Sequence, residues 1–399
     1  MDNEQSVNVV NEILYVDIIH WNLTTERNYS NLTDSSDVRS HLPVVSVEYV
    51  ALFATLFFVV GMIGVAGNLM VIYIVLEDKK MRKSVTNLLI LNLALADSLI
   101  MVFGIPEIVL FMLNQGWLLG LVMCKIQRTV LVGALYSSVL TLVTVCIERY
   151  IAIVFPIKAH IVCTKRRVIF VIMLVWTLSL LCASPTAVFN MVVPSEIGVH
   201  FCLTNFPGSH LTYMKLFKYS ESILFYFGPL LVQLVCYIVI GKRLFIGVER
   251  LHRQVMSPCD GPNRRIRTSE AIKARRGVVK MLIASVIIYF LSYSPHQVLL
   301  FYNSFSAVPF HQTWVFLVLT TTLAYINSAA NPILYCVFSQ NFRKKFHVML
   351  CRAQTCHGGS ESDRMVGMNN YTEYTTLFRR STKKPALNNF KHDSAISVV

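Results

Sequence analysis

Seven apolar stretches dominate this chain, each near or above the roughly 20 residues that cross a bilayer as a helix. They fall at about 47–76, 85–113, 121–154, 168–193, 214–245, 276–304 and 311–338. Of the 399 residues 54% are hydrophobic and only 15% charged, whereas soluble domains carry about 25% charge. The expected fold is therefore an all-α membrane protein, a bundle of seven transmembrane helices. A net charge of +14 raises nucleic acid as a partner. The Lys and Arg are not spread along one face, however. They sit in short clusters between the apolar runs, as membrane topology requires, and no nucleic acid is expected.

Those clusters set an orientation. Lys79, Lys80, Arg82 and Lys83 follow the first run, and Lys158, Lys165, Arg166 and Arg167 the third. Arg264, Arg265, Arg267, Lys273, Arg275 and Arg276 follow the fifth, and Arg343, Lys344 and Lys345 the seventh. Excess Lys and Arg mark the cytoplasmic side. A multi-pass plasma-membrane protein is expected, with its N-terminus outside and its C-terminus in the cytoplasm. Glycosylation acceptor triplets start at Asn22, Asn28 and Asn31 in the polar segment 1–46, on the outer side. Residues 1–20 lack the basic start of a leader, so the first run is expected to direct insertion itself. Of the ten cysteines, only Cys124 and Cys202 reach the oxidising side on this topology. Disulfides persist there and not in the cytosol, so a Cys124–Cys202 bridge is expected.

Polar residues inside lipid must find one another. Asn68, Asp97, Ser138, Asn327, Ser328 and Asn331 are expected to converge around Asp97, the one acid expected at membrane depth. Such a cluster either holds a small cation or a proton, or serves interhelical hydrogen bonding alone. Pro106, Pro185, Pro229, Pro295 and Pro332 interrupt the runs. Each removes a backbone bond and frees a carbonyl that must be satisfied again; the kinks act as hinges or only as packing. At the inner rim of the third run, Glu148-Arg149-Tyr150 sets an acid beside a base. Charges there are costly unless they pair or do work.

In order and spacing across about 47–350, these motifs resemble the rhodopsin-like G-protein-coupled receptors: Gly67-Asn68, Leu93-Ala94 with Asp97, Cys124, Glu148-Arg149-Tyr150, Trp176, Pro229 with Tyr237, Pro295, and Asn331-Pro332-Ile333-Leu334-Tyr335. The resemblance implies a signalling receptor and not an enzyme, with a heterotrimeric G protein, arrestin and receptor kinases as partners. It implies that Arg149 is released on activation and reaches Tyr237 while Tyr335 swings inward. Ile157, after Pro156, would be the apolar knob set into the G protein. Asp97, with Ser138, Asn327, Ser328 and Asn331, would hold an allosteric sodium ion. Two positions depart from the family pattern. Tyr293 stands where the family usually has the Trp of an aromatic switch. Lys273-Ala274-Arg275-Arg276 stands where some relatives place an acid that locks the third-run Arg. Like charges cannot lock Arg149, so Glu148 alone is expected to hold it at rest.

Exclusion narrows the ligand. Opsins of the family need a Schiff-base Lys where Tyr325 stands, and monoamine receptors an acid where Leu131 stands. The expected pocket presents Gln127, Arg128, Glu221, His296, Gln297, Tyr302 and Tyr325 beside Leu131, a set suited to amides and peptide termini. Arg128 and Glu221 either bind ligand or pair with each other, and His296 and Gln297 either bind ligand or join helices. The outer loop 193–212, anchored by Cys202, is long enough for a β-hairpin like those of peptide receptors. The second inner loop, around Pro156-Ile157-Lys158-Ala159, resembles that of the thyrotropin-releasing-hormone and ecdysis-triggering-hormone receptors. An extracellular neuropeptide is the expected ligand, with a small non-amine molecule or a lipid as the alternative class. A transporter or channel is the alternative function.

Residues 339–352 alternate apolar and basic at helical spacing, as an amphipathic helix on the anionic inner leaflet would. Cys351 and Cys356 are either palmitoylated or plain thiols. Residues 353–399 are rich in Ser and Thr and expected to be disordered. Ser397-Val398-Val399 fits strand addition to a PDZ domain, an ending that chance also makes common. The expected organisation is a glycosylated tail 1–46, a receptor domain 47–338, a juxtamembrane helix 339–352 and a cytoplasmic tail 353–399.

Overall fold

The computed structural model describes residues 47–113, 115–194, 199–254, 262–305, 310 and 313–357. Asn22, Asn28, Asn31, Ser397 and Val399 lie outside them, as do the side chains of Cys351 and Cys356. The described residues up to Arg343 make one compact unit, and those from Lys344 to His357 fall in a second. The helices α1 (Val47–Glu77), α2 (Val85–Met112), α3 (Gly120–Val154), α4 (Pro156–Val162) and α5 (Lys165–Phe189) come first. A hairpin of β1 (Asn190–Pro194) and β2 (His200–Thr204) follows. Then come α6 (His210–Ser222), a π turn at Ile223–Phe227, α7 (Gly228–Gln254), α8 (Pro262–Phe305), α9 (Trp314–Phe338) and α10 (Gln340–His357).

Among the described residues six helical rods are long and apolar enough to cross a membrane: α1, α2, α3, α5, the joined α6–α7, and the part of α8 from Arg276. The seventh, α9, has 25 residues but interleaves Thr320, Thr322, Asn327, Ser328 and Asn331, all buried. Those residues dilute its apolar character and turn polar groups inward, where partners exist. Outward faces carry the opposite pattern. Phe58, Phe170, Leu181, Leu231 and Val298 are each more than 60% exposed, an apolar surface that only lipid or a partner covers.

Pro229, Pro332 and Pro185 each mark a place where a side chain is recruited to the backbone. Pro229 has no N–H for the Phe225 carbonyl. The chain widens there into a π turn in which the Gly228 N–H reaches back to the Ile223 carbonyl. The freed Phe225 carbonyl accepts the Tyr289 hydroxyl from α8. Gly228 makes this turn feasible, because a Cβ there would stand 2.8 Å from the Ile223 oxygen. Pro332 frees the Ser328 carbonyl, which accepts Asn68 Nδ2 at 3.1 Å. Pro185 frees the Leu181 carbonyl, which accepts the Ser184 hydroxyl at 2.8 Å.

Several boundaries differ from the expected ones, for physical reasons. The fourth span ends at Phe189 and not 193, since Asn190 already pairs with Thr204 in the hairpin, whose other end pairs Pro194 with His200. The helix α8 starts at Pro262, ahead of the expected 276, because after that proline no Gly or Pro stops it before Gly277. Hydropathy marks the edge of the slab and not the end of the helix. Likewise α10 runs past 352 to His357.

Cys124 near the start of α3 is disulfide-bonded to Cys202 of β2, with Cα atoms 5.7 Å apart. Trp117 packs on the pair, and its main-chain N–H donates to the His200 carbonyl at 2.7 Å. Lys125 Nζ donates to the Val188 carbonyl at 2.9 Å. The hairpin and the end of α5 are thus pinned to α3.

Candidate functional site

Charged and polar groups fall into three layers through the bundle. In the outer layer, Arg128 of α3 is ion-paired with Glu107 of α2, with 2.5 Å between Nη2 and Oε1. Gln127 donates Nε2 to the other Glu107 oxygen at 2.8 Å and to the Phe103 carbonyl at 2.9 Å. Of the two alternatives open for Arg128 and Glu221, pairing with each other is not what the structure shows. Glu221 sits on α6 and takes Lys218 at 3.0 Å, one helical turn away. An i,i+3 partner on the same helix needs no long reach, while Gln127 fixes the Glu107 carboxylate toward α3. The expectation of a single acid at membrane depth is corrected too, because Glu107 is only 8% exposed. An acid between Ile105-Pro106 and Ile108-Val109 is a signal that hydropathy alone passes over.

The remaining outer residues line up differently. Tyr325 is buried with its ring edge-on to Phe57 at 5.2 Å. Its hydroxyl lies against Gly104 of α2, where any side chain would overlap it, so a glycine is needed at that close approach. Leu131 packs against the same core as Tyr325. Tyr302 is half exposed and edge-on to Phe310 at 6.4 Å. His296 and Gln297 are partly buried, and Gln297 Oε1 is buried without a hydrogen-bond partner.

Removing one member of a buried pair strands the other. Glu107→Ala leaves Arg128 without its acceptor and is expected to cost about 3 kcal/mol, read as a lower thermal midpoint of the solubilised protein. A double variant, Glu107→Gln with Arg128→Gln, should recover much of the loss. An unchanged midpoint in Glu107→Ala would show that the pair holds nothing together.

In the middle layer Asp97 is fully buried. Its Oδ1 accepts Ser138 at 3.1 Å and its Oδ2 accepts Asn331 Nδ2 at 2.7 Å. The Ser328 hydroxyl is buried on α9 without a hydrogen-bond partner. Ser285 of α8 donates to Asn331 Oδ1 at 3.3 Å, and Asn68 of α1 donates to the Gly64 carbonyl at 2.8 Å. Five spans thus meet around one acid. Asn327 is buried on α9, and Tyr293 stacks near Tyr289, with ring centres 5.0 Å apart. To one side, Trp176 donates to Asn92 Oδ1 at 2.8 Å, and Asn92 donates to Thr141 at 2.8 Å.

In the inner layer Arg149 donates to Glu148 from Nε at 2.6 Å and from Nη2 at 2.7 Å, a bidentate grip. The Thr86 hydroxyl of α2 accepts from the same Nη2 and donates to Glu148 Oε2 at 3.3 Å. The expectation that Glu148 alone holds Arg149 is therefore corrected: Thr86 is a second holder, sited on the helix next to α3. Tyr237, Tyr150 and Ile153 pack against one buried cluster, Ile240 and Val279. The buried Tyr335 hydroxyl has no hydrogen-bond partner, and its ring lies 5.4 Å from that of Phe342. Ile157 on α4 is 82% exposed.

The family described as 7 transmembrane receptor (rhodopsin family) matches residues 67–335. The chain is a rhodopsin-family receptor. It is 36% identical over 318 residues to neuropeptide receptor 15 of Caenorhabditis elegans, covering 77% of the receptor and 90% of that protein. It is 30% identical over 308 residues to galanin receptor 2a of Danio rerio, covering 77% and 79%. Against the thyrotropin-releasing hormone receptor of Gallus gallus it is 30% identical over 352 residues, covering 83% and 84%. Membership makes the receptor a multi-pass signalling protein, and sets aside the transporter, channel and enzyme readings. Within the receptor, sequence reasoning missed Glu107, Thr86, Lys218 and Ser285. Thr86 and Ser285 carry little sequence signal, since a hydroxyl in a helix usually bonds its own backbone.

Proposed function

We propose that the receptor binds an extracellular peptide at the outer layer and activates a heterotrimeric G protein at the inner one, with its N-terminus outside the cell. The observation that carries the ligand class is similarity over most of the chain to receptors named for neuropeptides, galanin and thyrotropin-releasing hormone. The hairpin tethered to α3 at Cys124 adds strand edges on the outer side, and peptide backbones pair with such edges. The basic clusters at the Arg149 end support the orientation. Nucleotide exchange on a purified heterotrimer, with synthetic peptide pools added, tests the reading. Exchange should rise with peptide; solute flux without exchange would overturn it.

Activation is a population shift. At rest Glu148 and Thr86 hold Arg149 toward α2. The active state frees Arg149 toward Tyr237 and brings in Tyr335, whose buried hydroxyl has a bond to gain, while Ile157 offers an apolar contact to the G protein. Glu148→Gln replaces the ion pair by bonds from the Arg149 cation to a neutral amide oxygen and removes about 1 kcal/mol or more of holding energy. Basal exchange is expected to rise severalfold; an unchanged basal rate in well-folded protein would refute the role of Glu148.

The middle layer suits a small hard cation, which takes oxygen ligands. Asp97, Ser138, Ser328 and Asn331 would hold a sodium ion, and Asn68 Oδ1, buried without a hydrogen-bond partner, adds an unused acceptor. Such an ion would supply a positive charge that neutralises Asp97 and favours the resting packing. Asp97→Asn should then abolish any sodium dependence of basal exchange and of thermal midpoint; a dependence that survives excludes the site. Glycans at Asn22, Asn28 and Asn31, palmitate at Cys351 and Cys356, arrestin and kinase docking on the tail, and PDZ pairing at Ser397 and Val399 complete the reading.

A further inference from the structure

We infer that the first outer loop, which joins α2 to α3, is seated in the outer leaflet of the bilayer and carries the β hairpin from there. Over 118–123 every residue but Gly120 is apolar, and Leu118, Leu119, Leu121, Val122 and Met123 are all exposed. Leu118 and Val122 are 62% and 69% exposed, so the bundle covers little of either. Consecutive exposed apolar residues are unfavourable in a loop bathed by water unless something covers them. No charged residue stands between Glu107 and Lys125 to favour water.

Continuity with the lipid-facing flanks names the cover. Val102 and Val109 of α2 and Leu113 at its end are exposed, and spacings of seven and four put them on one helical face. Val122 and Ile126 of α3, four apart, are exposed as well. Both helices are long and apolar enough to cross a membrane, so these outward stripes face hydrocarbon. The loop carries the same kind of surface from one stripe to the other. A protein partner fits less well, because protein interfaces carry about one hydrogen bond per 100–200 Å² and no side chain over 118–123 donates one.

The other side of the loop grips the hairpin. Trp117 is buried and packs on Cys124 and Cys202. Its Nε1 donates to the Gly120 carbonyl at 2.8 Å, and its main-chain N–H to the His200 carbonyl of β2 at 2.7 Å. Gly116, with a φ of 65°, allows that approach, since a Cβ there would stand 2.5 Å from the His200 oxygen. The leucines thus face lipid while the tryptophan holds β2, so the leaflet helps to set where the hairpin sits.

The test uses the purified full-length receptor in phosphatidylcholine nanodiscs, where both faces are open to water and the result does not depend on orientation in a cell. In one arm the lipid carries a photoactivated diazirine on its acyl chain close to the headgroup; in the other, hydroxyl radicals are generated in the water. Mass spectrometry of the digest locates both labels. Residues 118–123 are expected to take the lipid label as the outward Phe170 and Leu231 do, and to be oxidised severalfold less than the exposed 207–209. Oxidation equal to that of 207–209 would place the loop in water and overturn the proposal; neither label would mean that protein covers it, which overturns it too. The double variant Leu118→Asp with Leu119→Asp should gain oxidation at 121–123 and, severalfold, at Phe201 and Leu203 of the hairpin. Unchanged hairpin oxidation in a variant whose loop has left the lipid would overturn the role given to the leaflet. No signalling enters these maps, so a failure of peptide binding or nucleotide exchange is a separate result.

Discussion

Replacing Cys124 with Ala is expected to remove most of the receptor from the cell surface. The bridge closes a loop spanning 78 positions, and closing a loop of that size in the unfolded chain is worth about 4 kcal/mol. Total stabilities run to only about 5–15 kcal/mol, so the loss is a large share. The hairpin would then be tied down only through the Trp117 bond to His200 and, next to it, the Lys125 bond to Val188. Antibody staining of intact against permeabilised cells gives the surface fraction. Cys202→Ala should match Cys124→Ala, and the double variant should be no worse, because all three lack one bridge. Full surface levels in both single variants would mean that the bridge is dispensable.

The second large effect falls on signalling. Arg149→Ala should abolish catalysed nucleotide exchange while leaving peptide binding and surface level close to normal. The substitution removes the group that must leave Glu148, so no signal reaches the G protein. It leaves Glu148, whose side chain is 8% exposed, with the Thr86 hydroxyl at 3.3 Å. The Glu107–Arg128 pair is about as sheltered, so a lower thermal midpoint is expected in Arg149→Ala as in Glu107→Ala. What sets Arg149→Ala apart is the complete loss of exchange. Intact exchange in Arg149→Ala would contradict the switch assigned to it.

The spans, their polar cluster and the Cys124–Cys202 bridge were legible because lipid leaves few solutions. Runs of about 20 apolar residues must be helices, and buried polar groups must meet, as Asp97, Ser138 and Asn331 do. What escaped was which partner each charge takes. Arg128 had two acids within plausible reach, and only the packing of α2 against α3 decides for Glu107. Thr86 gave no warning because nothing in its neighbourhood of sequence distinguishes a hydroxyl that grips Arg149 from one that bonds its own helix. The starts of α8 and the fourth-span hairpin were blurred for a different reason. Helices continue beyond the lipid wherever no residue stops them, and a strand can begin before hydropathy falls.

The π turn at Ile223–Phe227 has a bearing on how positions in this rod are compared with those of any other. An uninterrupted α-helix advances about 100° per residue, and the wide turn slips one residue out of that count. Alignment from Pro229 outward therefore assigns Lys218 and Glu221 to the wrong meridian, although every residue is correctly matched in sequence. A one-residue deletion between Ile223 and Phe227 would close the wide turn into ordinary α-helix and leave Tyr237, Lys218 and Glu221 on the meridians they now occupy. The wide turn thus lets the fifth span hold one extra residue without re-aiming either its ligand end or its G-protein end.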